Sequence, residues 1–378
     1  MAIYIKKKNM KQGWEYKKFE TCINKTPKPK QVKTEDYNSG TKYPIVSQED
    51  KLISGYYDDE SYVFHIDSPV VIFGDHTRVL KYVDFDFVVG ADGVKIISPE
   101  QDLNAKFLLY YLQWYKIPNL GYSRHYKLLK ELNIPIPPKF TQLAIVSELD
   151  KINELIRLKK EQLKDLDKLA QSIFYEMFGD PVENEKGWKV KMLGDLCTDI
   201  TDGDHMPPPK SEYGIPFITI SDIEKESRSL NFENTYYVPI DYYNKLKENR
   251  KARIGDLLYT VTGSYGIPVI VKTDKQFCFQ RHIALLRPNI EILSTIFLYY
   301  WMLNDGVKFM ADKVAKGIAQ KTVGLNSIRK FSCILPPLPL QHLFAKRIEQ
   351  IEHQKSEVQK AITDLETLLA SRMQYWFE

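Results

Sequence analysis

The sequence predicts an α+β protein in which two mixed helix-and-strand modules are separated by two long helices packed as an antiparallel coiled coil. The whole repeats about a pseudo-twofold. Three observations carry this reading. First, residues 136–152 read IPPKFTQLAIVSELDKI and residues 335–351 read LPPLPLQHLFAKRIEQI, so Pro137, Pro138, Gln142 and Ile152 each have a counterpart 199 positions on, in Pro336, Pro337, Gln341 and Ile351. A repeat of this length marks equivalent modules. Second, each copy runs on into an apolar pattern of strict 3,4 spacing. Third, the chain before each copy alternates strand-like runs with glycine and Asp/Asn turns.

The 3,4 pattern is a heptad seam. It places Leu149, Ile152, Ile156, Leu163, Leu166 and Ile173 on one face of the first helix. In the second helix it places Ile348, Ile351, Val358, Ile362, Leu365 and Leu369. No proline or glycine interrupts either seam, and Gly179-Asp180-Pro181 stops the first helix in the expected order. Each helix leaves its stripe wet unless it is covered, and matched period and length favour mutual pairing. One lysine lies in each seam, Lys159 and Lys355. Antiparallel pairing brings Lys159 towards Glu366 and Lys355 towards Asp167. The expected division is 1–138, a first module; 139–179, a central helix; 180–338, a second module; and 339–378, a C-terminal helix.

Within the modules, Val70–Phe73, Val94–Ile97, Leu257–Val261 and Val269–Val271 read as strands, and Tyr43-Pro44-Ile45-Val46 matches Ile215-Pro216-Phe217-Ile218. Phe107–Tyr110 and Phe297–Tyr300 read as buried helix in corresponding places, and Gly13-Trp14 matches Gly187-Trp188. From tryptophan to proline motif, the first module is shorter by 25 residues (14 to 137 against 188 to 336).

Composition narrows the function. Four cysteines, Cys22, Cys197, Cys278 and Cys333, form no CxxC pair and are expected as buried, reduced thiols of a cytosolic protein. No run is long and apolar enough for a membrane span, and the first residues lack a secretory h-region. The net charge is only +4, but lysines crowd 6–33 and cations crowd 245–253, where they either meet phosphates or form a solvated face.

Catalytic signatures are missing. The sequence has no GxxxxGK[ST] phosphate loop, no GxGxxG, and neither the Asp-Pro-Pro-Tyr nor the Asn-Pro-Pro-Tyr of amino-methyltransferases. The polar run Thr201-Asp202-Gly203-Asp204-His205 suits a turn, a ligand contact, or a metal or acid–base site; Gly74-Asp75-His76-Thr77-Arg78 is similar. No metal site and no catalytic residue is assigned. Side chains able to read base edges or meet phosphates gather in the loops: Arg78, Arg124, His125 and Tyr126 in the first module, and Asp204, His205, Ser264, Tyr265, Gln280, Arg281, His282, Gln320 and Lys321 in the second.

At this point the chain resembles the specificity subunit of a type I restriction–modification enzyme over essentially its whole length. The two proline–glutamine–helix segments, Glu176-Met177-Phe178-Gly179-Asp180-Pro181, and Ser371-Arg372-Met373 with Trp376-Phe377 resemble the family's two conserved helices and their ends. Ile200–His205 with Gly214–Ile218, and Gly255-Asp256-Leu257-Leu258 with Gly263, resemble one form of its target-recognition domain; Gly74–Arg78 and Gly90–Lys95 resemble another. The resemblance implies that each module binds half of a bipartite site on double-stranded DNA, with the helix pair as ruler and as docking surface for two modification (methyltransferase) subunits. It implies that this chain makes no bonds and binds no cofactor. S-adenosylmethionine for adenine methylation belongs to the modification subunits; ATP and Mg belong with the restriction (translocase/nuclease) subunits, all in a prokaryotic cytoplasm. Two other readings stay open: a free-standing DNA-binding or scaffold protein, and a methyltransferase or nuclease with degenerate motifs. The ruler has a measurable consequence. At about 1.5 Å per helical residue and about 3.4 Å per base pair, four residues inserted into the first helix lengthen the spacer between methylated half-sites by about two base pairs, read by mapping methylated adenines.

Overall fold

The computed structural model describes residues 11–121, 123–203, 206, 208–317 and 320–378. The chain forms two compact units, one of Met1–Glu161 with Gln359–Glu378 and one of Gln162–Val358. Neither module is closed by its own stretch alone, because each takes a segment of both long helices.

In the first unit the β-branched run Val70–Gly74 is buried throughout, as a central strand covered on both faces must be. It lies in a four-stranded sheet ordered Ile23–Asn24, Val94–Pro99, Val70–Gly74, Leu80–Val83, with Ile72 opposite Ile96 on one side and Lys81 on the other. A second sheet is ordered Gly55–Tyr57, Tyr43–Val46, Phe87–Val89, Val63–Phe64, and its middle pair is parallel. A ribbon of Glu15–Lys18 with Asn133–Ile136 leads into the proline motif. The second unit repeats the plan. Cys197–Asp202, Ile283–Pro288, Leu257–Thr260 and Pro268–Ile270 form the four-stranded sheet; Tyr236–Val238, Ile215–Ile218 and Cys278–Phe279 form the other, again with one parallel pair. Lys189–Met192 with Ser332–Leu335 repeats the ribbon. A parallel pair among antiparallel neighbours, found twice at the same place, is the topological mark of the repeat.

The shortness of the first module has a location. The second unit carries a hairpin, Ile223–Glu224 with Ser229–Leu230, and a helix, Asp305–Val314. In the first unit, residues 47–54 and 116–125 stand in their places with no strand or helix among those described.

The long helices are Lys139–Phe178 and Leu338–Phe377, offset by 199 at both ends. In the first unit Glu148 holds the Arg372 guanidinium and accepts from Trp376 Nε1 at 2.9 Å, and Lys160 meets Glu366 at 2.8 Å. In the second, Lys355 meets Asp167 at 2.8 Å. Residue numbers rise on one helix as they fall on the other, so the segments run antiparallel in both units. The Lys355–Asp167 pair is the one expected. At Glu366 the ion pair is made by Lys160, one position beyond Lys159: Lys159 is half-buried at the seam, while Lys160 lies on the wet flank where charge costs least. Burial pulls the Lys355 ammonium down, but Asp167 and Glu352 outweigh it and hold it above its ordinary value.

Of the seam residues, Leu149, Ile152, Ile156, Leu166, Ile348, Ile351, Val358 and Ile362 are buried, and Leu163, Ile173, Leu365 and Leu369 are half-buried. Beyond Ala170 the buried positions move one residue on from the seam, to Phe174 and Phe178. A straight helix turns every 3.6 residues and drifts from a 3.5 repeat, so its last turns present a different stripe. Here that stripe enters the second unit's aromatic core: Phe178 lies 4.9 Å from Phe297 and 5.3 Å from Phe344. In the first unit, Phe377 makes the equivalent entry, 5.5 Å from Phe107. Lysines cap both helix ends. Lys11 donates to the Tyr375 and Trp376 carbonyls, and Lys186 to that of Glu176, where the helix dipole favours a cation.

The repeated glutamine has a specific task. Gln142 is fully buried; its amide donates to the Pro137 and Asp102 carbonyls at 2.8 and 2.7 Å and accepts from Asn104 N at 2.8 Å. Gln341 does the same with Pro336, Ile292 and Ser294 at 2.8, 3.1 and 2.9 Å. Asn104 and Ser294 are N-caps of the helices Ala105–Tyr115 and Thr295–Met302. One side chain thus ties a proline turn, a helix cap and a long helix together. Gln142→Ala strands those partners and costs about 2–3 kcal/mol, with a comparable loss for Gln341→Ala, read as a lower thermal midpoint by circular dichroism.

Candidate nucleic-acid interface

In the second unit three loops are stitched into one edge at the end of the four-stranded sheet. Val261 N donates to His282 O at 2.9 Å, Val323 N to Val261 O at 2.8 Å, and Gly263 N to Lys321 O at 3.0 Å. Thr322 adds an Oγ1 contact to Thr262 at 3.2 Å. The edge therefore draws Ser264, Tyr265, Gln280, Arg281, His282, Gln320 and Lys321 from three separate places in the chain. Ser264, Arg281, Gln320 and Lys321 are exposed, and Tyr265, Gln280 and His282 half-buried. Tyr265 is steadied by its hydroxyl, which donates to Asp312 at 2.6 Å. Burial, reinforced by the Arg281 charge, pushes the His282 imidazole below its ordinary value and favours the neutral ring, which can both donate and accept. Gly203 reaches the same edge, and only glycine fits: a Cβ there would stand 1.9 Å from Phe279 O. Asp204 and His205 follow it in the chain and lie outside the described residues.

The first unit builds the same edge. Asp75 N donates to Gly93 O at 2.6 Å and His125 N to Asp75 O at 2.9 Å, so Asp75, Gly93 and His125 take the places of Val261, His282 and Val323. This corrects the assignment of His125 as a DNA-binding residue. His125 is fully buried at an apolar position; Nε2 accepts from Leu120 N at 3.0 Å, which leaves Nδ1 as donor to Asp75 O at 2.9 Å. It shapes the loop from within. The Tyr126 ring likewise packs inward, 6.0 Å from Phe19 and 6.3 Å from Phe73. Arg124 is exposed, and Arg78 is half-buried with one guanidinium nitrogen donating to Ile117 O at 3.1 Å.

Two internal clamps were not legible as such. Asp75, read as a candidate polar site, is buried at 2% exposure; its carboxylate takes Tyr126 N at 2.8 Å and lies 3.8 Å from Lys95 Nζ. In the second unit, buried Asp256 holds Arg287 by two bonds of 2.9 and 2.8 Å. A charged residue beside a glycine at a strand end was the available signal. The basic crowds are also partly neutralised from within. Lys17 pairs with Asp102, Lys33 with Glu35, Lys251 and Arg253 with Glu248, and Arg250 with Asp202. All four cysteines are free, and burial raises the Cys197 and Cys278 thiols to about 12. Among the described residues no group of three or more His, Cys, Asp or Glu is placed to hold a metal, and no helix is long and apolar enough to cross a membrane.

The comparisons agree with this duplicated architecture. Residues 11–168 and 185–367 both match the model of the type I restriction modification DNA specificity domain. A putative type I restriction enzyme specificity subunit of Methanocaldococcus jannaschii is 23% identical over 75% of this chain and 72% of its own length. The EcoBI specificity subunit of Escherichia coli is 22% identical over 63% of this chain and 55% of its own. Among solved structures, the S subunit of the type I restriction–modification system of M. genitalium superposes with a TM-score of 0.55 at 15% identity, over 100% of this chain and 98% of that one. A chain from a type I system solved for its complex assembly and conformational transition gives 0.57 at 18%, over 98% and 99%. These two carry the fold alone.

Burial separates shaping residues from surface ones. His125→Ala costs about 1–3 kcal/mol by stranding the groups it bonds, whereas Arg281→Ala stays within about 0.5 kcal/mol, both read from thermal midpoints.

Proposed function

The chain belongs to the type I restriction modification DNA specificity family, as a subunit that recognises DNA and leaves bond-making to others, and from that premise we propose that each unit's three-loop edge reads one half of a bipartite site on double-stranded DNA. The observation that carries the proposal is the recurrence of one stitched edge on two copies of one topology, with different side chains displayed on each. A shared frame with different surface chemistry suits two half-sites of different sequence. Exposed Arg281, Gln320 and Lys321 in one edge and Arg124 in the other supply base-edge and phosphate donors.

In this reading the helix pair offers its polar outer faces to two modification subunits, which bring S-adenosylmethionine and methylate adenine. Restriction subunits add ATP- and Mg-dependent translocation and cleavage, and the assembly works in a prokaryotic cytoplasm. The long charged flanks support a docking role, since a binder acting alone has less need of two 40-residue helices. Replacing residues 1–135 with the corresponding module of another specificity subunit changes one half-site of the methylated sequence and leaves the other intact, as read by mapping methylated adenines genome-wide. A change in both halves, or in neither, contradicts the modular reading.

A further inference from the structure

Beside each edge lies a cleft between the turn of the sheet's hairpin and the end of the neighbouring helix. In the first unit it measures about 460 Å3 and is lined by Arg78 and Lys116 with no acid among the described residues. In the second it measures about 310 Å3 and is lined by Lys225, Arg228 and Lys308 against Asp305. Each lining therefore carries a net charge of +2. The two sets of cations come from different elements. Arg78 and Lys116 sit on the turn and the helix end themselves. Lys225 and Arg228 sit on the hairpin, and Lys308 on the helix, that have no counterpart among the described residues of the first unit. Unrelated residues thus reach the same charge at the same place in the fold.

Backbone strain points the same way. Four non-glycine residues among those described have positive φ, and three of them are the cations Arg78, Lys116 and Arg228, at 63°, 50° and 49°. Glycine or asparagine holds that conformation more cheaply, so a long cation there is a cost the fold accepts for some return. Both clefts share a loop with the edge: the turn of Arg78 also holds Asp75, and that of Tyr265, which lines the second cleft, also holds Ser264. Reading bases requires a fixed register on the duplex, and phosphate contacts supply it.

We propose that each cleft holds a phosphodiester group of the DNA backbone flanking the half-site read by its edge, and so sets the register of that edge. The proposal rests on the DNA reading above. It is tested on the chain assembled with its modification subunits, by fluorescence anisotropy against a mixed-sequence duplex over a salt series. Arg78→Gln with Lys116→Gln, and separately Lys225→Gln with Arg228→Gln and Lys308→Gln, each weaken binding several-fold and flatten the slope of log K against log salt by about 1 for each phosphate no longer neutralised. Lys189→Gln with Lys191→Gln, exposed lysines of the ribbon strand that line neither cleft, leave the slope unchanged. Arg78→Gly separates binding from stability: it flattens the slope as Arg78→Gln does while its thermal midpoint lies above that of Arg78→Gln, because both lose the bond to Ile117 O and only glycine accepts the positive φ. Unchanged slopes in both cleft variants, or an equal loss in the Lys189/Lys191 control, overturn the proposal and leave the DNA reading standing. Normal DNA binding with failed assembly also overturns it and assigns the clefts to a protein partner. If the unaltered complex does not bind duplex, the DNA reading itself fails.

Discussion

The structure depends on one constraint: a 40-residue helix with an apolar stripe on one side cannot leave that stripe in water. Burying such a face contributes roughly 25 cal/mol per Å2 of apolar surface, far more than the exposed ion pairs along the flanks, each worth at most about 1 kcal/mol. Leu149, Ile152 and Ile156 therefore lie inside the first unit, and Ile348, Ile351 and Val358 inside the second. The ion pairs of Lys160 with Glu366 and Lys355 with Asp167 decorate a direction that apolar burial demands. Because the helices run antiparallel, the chain's last turns return to its first module, and Phe377 completes a core begun by Trp14 and Phe107.

That return explains why the most closely repeated features of the chain are structural. The proline turn, the buried glutamine and the terminal phenylalanine each join a long helix to a module, and all recur at the 199-residue offset. None of them displays a side chain on the edge. The frame holds the sheet, the sheet holds the three loops, and the loops hold the side chains of the edge. The division lets the display vary while the frame stays constant, as the pairing of His125 with Val323 shows. One polar and one apolar residue fill the same buried position, and each unit solves the local packing in its own way.

Much of this was legible in the chain. The 199-residue offset located both helices and their ends, because proline, glycine and the 3,4 period act locally. The largely apolar runs Val70–Phe73 and Leu257–Val261 located central strands, because burial on both faces leaves little freedom of composition. The site was legible only in part. Seven second-module residues named from their types do converge, but His125 and Tyr126 turn inward and Asp75 is a clamp. Residue type states what a side chain can do, whereas burial states what it is free to do, and burial depends on partners far along the chain.

By itself the sequence determined the duplication, the two helices, their antiparallel seam, and the absence of the catalytic signatures sought. These depend on period, offset and composition, which are properties of the chain read in order. Only the tertiary structure decided which loops meet, which polar residues face outward, and that cations in a strained backbone conformation line a cleft in both units. Those outcomes come from hydrogen bonds such as Gly263 to Lys321 and His125 to Asp75, between residues far apart in the chain, and no local pattern encodes a contact of that reach.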